Sequence, residues 1–171
     1  LMSADLPPSR QILINGFITS GGQKMSKSIG NVLDPLYFAK EYGIDALRYY
    51  LARHVNSFED SDVTEEKFKE AYNANLANGL GNLVARVMTL AEKYLEELVS
   101  VEGETRDGEY ADAMKCYDFN GAMNVVWKRI GELDSFAQEN EPWKTIKTDE
   151  ARAKKDIVHL VSGLAGIAPL L

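Results

Sequence analysis

Gly21-Gly22-Gln23-Lys24-Met25-Ser26-Lys27-Ser28-Ile29-Gly30-Asn31 is the stretch around which the rest of the chain is organised. Two lysines three positions apart, on a turn rich in glycine and hydroxyl groups, form a compact cationic arm. Ammonium groups act as point charges on polyphosphate oxygens, and hydroxyls and backbone N–H groups add hydrogen bonds. The ordinary alternative is a solvated surface loop, which describes most short runs of Lys and Ser. At average residue usage, Lys24 to Ser28 arises by chance in a chain this long on the order of once in ten thousand. The phosphate loop is the better reading. Upstream, Ile12, Leu13, Ile14, Phe17 and Ile18 alternate imperfectly between proline and glycine punctuation, predicting one or two short strands within 11–19. A strand, a glycine turn and a cationic loop give a phosphate arm a rigid base.

The bulk numbers bound the answer. The chain has 171 residues, 45% hydrophobic and 26% charged, with mean hydropathy −0.26. That is one domain, or a small domain plus part of another, with enough apolar material for a core. A net charge of −7 argues against sequence-indifferent nucleic-acid binding over the whole surface, but leaves room for one local basic patch. Cys116 is the single cysteine, which excludes an internal disulfide and leaves too few thiols for a cysteine-rich zinc site. It is expected to be a small, half-buried core residue. No apolar run approaches the length that spans a bilayer, and no signal peptide opens the chain. The start at Leu1 and the stop at Leu171 read as cuts through a longer protein.

Downstream the pattern is helical. Asp34-Pro35 is a helix start, an N-cap carboxylate with proline at the first position, and Gly43 ends that helix. Asp45 opens a second helix that ends near His54, for which a capping or surface role is expected, and Asn56 to Asp62 reads as an acidic loop. Thr64 caps a long helix running to about Leu98. Along it Leu76, Leu80, Leu83, Val87, Leu90 and Tyr94 recur at steps of three and four, one buried stripe. Asn75, Asn78, Asn82 and Arg86 form a polar row at the same spacing. Asn and Gly are poor helix formers, so Asn75, Asn78, Gly79 and Gly81 need another reason. For Asn75 and Asn78 that reason is interhelical hydrogen bonding. A short helix within 107–117 precedes a longer one capped by Asp118 or Asn120, whose core face is Ala122, Val125, Val126, Ile130, Leu133 and Phe136 or Ala137, with Trp127 beside it. Pro142 interrupts, leaving Trp143 at a loop or helix start with its ring expected to be exposed. Such a ring is a stacking platform for single-stranded bases. Lys144, Lys147, Arg152, Lys154 and Lys155 follow as the candidate basic patch, with a solvated helix face as the competitor for the last three. A final helix, about 149–165, packs Ile157, Leu160, Val161 and Leu164. The fold class expected is mainly α: a helical bundle preceded by a short β and loop segment.

Lys24 to Ser28 resembles, without a mismatch, the signature loop of class I aminoacyl-tRNA synthetases. Its flanks, Gly16-Phe17-Ile18-Thr19 and Gly30-Asn31-Val32-Leu33-Asp34-Pro35, look like the subgroup that charges methionine, valine, leucine, isoleucine and cysteine. The resemblance implies that Lys24, Met25, Ser26, Lys27 and Ser28 form an ATP-binding loop. Lys24 and Lys27 are then catalytic, Lys27 stabilising the charge on the triphosphate as pyrophosphate leaves. Gly81-Asn82-Leu83-Val84-Ala85-Arg86 resembles the anticodon-helix motif of methionyl-tRNA synthetases, and Pro142-Trp143 resembles their Pro-Trp element. Asn82, Arg86 and Trp143 are implied to bind anticodon bases. Glu141 departs from the pattern, standing where the family more often carries Ala or Asn.

The family's His-rich signature, amino-acid pocket and zinc knuckle are not in this sequence. The resemblance therefore implies the C-terminal portion of a larger cytoplasmic ligase, inactive in methionine activation by itself. The implied division is 1–34 as the end of a catalytic domain, 35–62 as connecting helices, and 63–171 as a helical anticodon-binding domain truncated at its C-terminus. The implied ligands are ATP with Mg2+, methionine, and tRNA (initiator and elongator), with no metal held by this portion and no membrane partner. A valyl-, leucyl-, isoleucyl- or cysteinyl-tRNA synthetase is the alternative within the class, sharing the Asp45-Ala46-Leu47-Arg48-Tyr49 helix. Outside it, the alternative is a non-catalytic helical module that binds RNA or protein.

Overall fold

The computed structural model describes residues 7–96, 99 and 108–171. The β part is smaller than expected and lies further along the chain. Strand β1 is Ile18–Ser20, β2 is Gln23–Lys24 and β3 is Ser61–Asp62, in the order β2-β1-β3. β1 and β2 pair antiparallel, Thr19 opposite Lys24. Gly21 and Gly22 both have positive φ, 63° and 73°, the conformation a two-residue hairpin turn requires and only glycine adopts freely. Of the range 11–19 predicted to hold one or two strands, only Ile18 and Thr19 join a ladder. Ile12 and Ile14 stay 80% and 79% exposed, because no neighbouring segment offers them a ladder. The parallel partner of β1 is β3, with Thr19 opposite Asp62, in the run read as an acidic loop.

The crossover from the hairpin to β3 carries α1, Pro35–Tyr42, capped by the Asp34 side chain, and α2, Ile44–His54. α3, Glu65–Ala71, starts at Thr64, whose hydroxyl accepts the Lys67 N–H. Phe38, Ala46, Tyr50, Val63 and Phe68 form one core, with Ile18 and Leu33 packed against it. Three of those rings cluster, Phe68 lying 4.8 Å from both Phe38 and Tyr50. Burying several such side chains, at roughly 1.5–3 kcal/mol each, fastens the hairpin onto the helices.

From Glu65 the chain stays helical to Tyr94, but not uniformly. Tyr72–Gly81 is a π-helix between α3 and α4, Asn82–Tyr94. The glycines explain the change of winding. A Cβ on Gly79 would lie 3.0 Å from the Ala74 carbonyl oxygen, five residues back, and one on Gly81 would lie 2.8 Å from that of Leu76. The wider turn brings those carbonyls where a side chain would sit, so glycine is needed there. π segments are rare and often mark functional places.

α5, Gly108–Lys115, and the long α6, Phe119–Asn140, lead through the short α7, Pro142–Thr145, to α8, Glu150–Ile167. Leu83, Val87, Met123, Val126, Ile130, Leu133, Ala137, Leu160 and Ile167 form the second core, with Tyr49 reaching in from α2. The predicted stripes supply Leu83 and Val87 from α4, Val126, Ile130, Leu133 and Ala137 from α6, and Leu160 from α8, whereas Leu90, Tyr94 and Val125 are only half-buried and stand outside this core. Cys116 is exposed, contrary to expectation. It follows the last turn of α5, where Tyr117 takes φ 60° and the chain reverses outward. Among the described residues no helix is long and apolar enough to cross a membrane.

Candidate functional site

The cationic loop is held from both sides. At its start, the Asp62 carboxylate accepts the Gly22 N–H at 2.7 Å and the Thr19 hydroxyl at 3.1 Å. At its end, Asn31 bridges the loop's mouth, accepting the Ser26 N–H at 2.8 Å and donating to the Lys24 carbonyl at 3.3 Å. Met25 turns inward and lines an apolar cavity of ≈ 220 Å³ with Ile18, Leu33, Phe38 and Tyr50. The hydroxyls of Ser26 and Ser28 lie 2.8 Å apart. Lys24 and Lys27 are exposed; the Lys24 ammonium sits 5.2 Å from the Phe17 ring centre, and neither lysine forms an ion pair among the described residues. Two solvent-facing ammonium groups on a braced loop suit a polyanion. The Asp62 carboxyl is held down to about 2, through the Gly22 N–H first and then Lys67 and Thr19. Asp62 and Asn31 were not singled out by the sequence reading. Nothing local marks Asp62, since the Gly22 N–H it accepts lies 40 residues away.

The second site lies between the π-helix, α4 and α6. Asn78, Gly79, Asn82 and Arg86 face Trp127, Gly131, Asp134 and Gln138 across an open cleft of ≈ 570 Å³. Arg86 is its pivot. Its guanidinium donates to Asp134 at 2.6 Å, its buried Nε has no hydrogen-bond partner among the described residues, and its Cζ lies 5.2 Å from the Trp143 ring centre, within cation–π range. The second Asp134 oxygen accepts the Gln138 amide at 2.6 Å. Asn78 and Asn82 are exposed and their side-chain amides have no hydrogen-bond partner among the described residues. Asn82 and Arg86 thus share one cleft, and Trp143 borders it through Arg86 rather than lining it.

Several expectations need correction here. Trp143 is half-buried, packed against the second core, because buried Pro142 seats α7 on the bundle. Asn75 does make an interhelical bond, donating to the Tyr49 hydroxyl at 3.1 Å with His54 Nε2 at 3.0 Å, but Asn78 does not. Burial and Arg53 push the His54 imidazole below its ordinary value. The basic patch is largely neutralised: Lys144 pairs with Glu141 at 2.5 Å, Lys154 with Glu150 at 2.8 Å, and Arg152 lies 3.9 Å from Asp156. Helical spacing of opposite charges decides that outcome. Asp134 and Gln138 escaped the sequence reading, as the partner that gives Asp134 its meaning is 48 residues distant.

Residues 1–88 match the family described as tRNA synthetases class I (M). The chain is 35% identical over 157 residues to a methionine–tRNA ligase of Thermotoga maritima, covering 84% of this chain and 25% of that protein. It is 34% identical over 186 aligned residues to methionine–tRNA ligase 1 of Bacillus anthracis, covering 100% of this chain and 27% of that one. The chain therefore spans about a quarter of these relatives' length. The methionyl-tRNA synthetase of Mycobacterium tuberculosis, solved in complex with methionyl-adenylate, superposes with TM-score 0.75 at 28% identity, covering 99% of this chain and 36% of that one. With more than half of its length inside the family match and the whole of its fold repeated in such an enzyme, this chain belongs to the class I tRNA synthetases (M).

Proposed function

We propose that the chain is the C-terminal part of a methionine–tRNA ligase, which activates methionine with ATP and transfers it to tRNA. In this reading Lys24 and Lys27 neutralise the triphosphate, Ser26 and Ser28 supply hydrogen bonds, and Asn82, Arg86 and Trp143 read the anticodon. The observation that carries it is the Arg86 guanidinium on the face of Trp143, beside a cleft with two exposed amides. A ring stacks an unpaired base, a guanidinium binds its edge with two parallel donors, and an amide complements a Watson–Crick edge. The division at 34 and 62 belongs to the same proposal, as do the initiator and elongator methionine tRNAs as partners and the cytoplasm as the compartment. Activation chemistry would need a nucleotide-binding core outside these residues. Mg2+ would arrive with the triphosphate; among the described residues no three His, Cys, Asp or Glu side chains cluster to hold it, and no step is assigned to it.

Filter binding tests the reading directly, comparing methionine tRNA with its CAU anticodon against valine tRNA with GAC at moderate salt. The expected result is at least tenfold tighter binding of the CAU tRNA. Equal binding of the two would overturn the methionine assignment.

A further inference from the structure

Asp62 gathers donors from three elements. One carboxylate oxygen accepts the Gly22 N–H in the hairpin turn at 2.7 Å and the Thr19 hydroxyl on β1 at 3.1 Å. The other accepts the Lys67 ammonium on the first turn of α3 at 2.6 Å, and Lys67 also donates to the Asp62 carbonyl at 3.3 Å. The backbone around it is paired as well, the Val63 N–H donating to the Thr19 carbonyl at 2.9 Å. The Asp62 side chain is 29% exposed, which limits its Coulomb reach. Its three hydrogen bonds, however, fix the turn from which Lys24 emerges.

We infer that Asp62 is a positioning residue for the Lys24–Ser28 loop, clamping the Gly21-Gly22 turn onto the start of α3 so that both lysines project from a fixed base. The inference rests on the reading of that loop as a triphosphate site. The clamp also has a consequence for charge. A carboxylate near a polyanion site repels the ligand, so its presence cannot serve anion binding by Coulomb attraction. Lys67 offsets the repulsion. If charge alone mattered, removing Asp62 would strengthen polyphosphate binding; if position matters, removing it weakens binding. The two explanations differ in sign.

The test uses the 171-residue chain with Asp62→Ala, Asp62→Asn and Lys27→Ala, all checked for unchanged helix content. Amide hydrogen exchange of Gly22 to Ser28 is measured first, then titration with inorganic tripolyphosphate by NMR. Asp62→Ala is expected to speed loop exchange tenfold or more and to weaken tripolyphosphate at least fivefold. Asp62→Asn keeps an acceptor for Gly22 and Thr19 but turns its NH2 toward the Lys67 ammonium and loses that link, so loop exchange should fall between wild type and Asp62→Ala, and tripolyphosphate should weaken less than in Asp62→Ala. Loop exchange within twofold of wild type in Asp62→Ala, or tripolyphosphate bound as well as before, overturns the clamp. Lys27→Ala binding tripolyphosphate like the wild type overturns the phosphate reading instead. Should Asp62→Ala lose helix content, Thr19→Val, which removes one donor and keeps strand packing, takes its place with the same expected directions.

Discussion

Trp143→Ala removes the ring under Arg86, and its effect on RNA binding can be worked from the structure. The indole is half-buried, so truncation exposes or empties roughly half of a ~200 Å² aromatic surface. At about 25 cal/mol per Å² that costs about 2.5 kcal/mol of stability. Fluorescence-detected urea unfolding reports this term independently of RNA. For binding, one stacked base is worth about 1–3 kcal/mol, and about 1.4 kcal/mol is tenfold in affinity. Loss of the ring should therefore weaken methionine tRNA by about fivefold to somewhat over a hundredfold. Arg86 also loses its platform, worth about 0.5–1 kcal/mol at an exposed site, which pushes the effect toward the upper part of that range. Trp143→Phe keeps a stackable face and should recover most of both losses. The assay is filter binding at two salt concentrations, in the absence of urea. A Trp143→Ala protein that remains folded and binds within twofold of wild type would refute the stacking role, whatever its stability.

Three further outcomes are expected. In a ligase that joins this chain to a nucleotide-binding core, Lys27→Ala should slow ATP–pyrophosphate exchange at least a hundredfold while leaving tRNA affinity within twofold; an unchanged exchange rate removes Lys27 from the mechanism. The Asp62 carboxyl, held at about 2 in the folded chain, should titrate there by NMR rather than near the usual 3.8. Because the folded value is the depressed one, the stabilisation it brings is complete above about 4 and is lost as pH falls through about 2; a midpoint near 4 would mean the carboxylate's hydrogen bonds are absent. Finally, Gly21→Ala and Gly22→Ala each force a side chain into positive φ with open space around it, so conformation alone acts, costing about 1–2 kcal/mol per site. An unchanged thermal midpoint would show that the turn is not built as described.

How much was legible in advance followed from how local each signal was. The Lys24–Ser28 turn, the Asp34 and Thr64 caps and the Asn82–Arg86 spacing all sit within a few residues, where backbone geometry alone sets which side chains share a face. Burial stripes on α4, α6 and α8 were readable for the same reason. Strand positions were not, because a strand is defined by its partner, and β1 found one in Asp62 rather than in the apolar run at 11–16. The winding of 72–81 was hidden too: poor α propensity warned of trouble, but a π turn is chosen only when glycines let carbonyls five residues back approach.

The order of residues by itself determined the chemistry on offer: two lysines and hydroxyls on a glycine-flanked loop, an amide and a guanidinium one helical turn apart, and an indole after a proline. Tertiary structure alone decided what those groups face. It set Arg86 on Trp143 and against Asp134, paired away much of the basic run after Trp143, and tied the glycine turn before Lys24 to a carboxylate from β3. Side-chain type and short-range periodicity are properties of neighbours in sequence, whereas hydrogen-bond partners and burial depend on segments that meet only after the chain has closed its long loops.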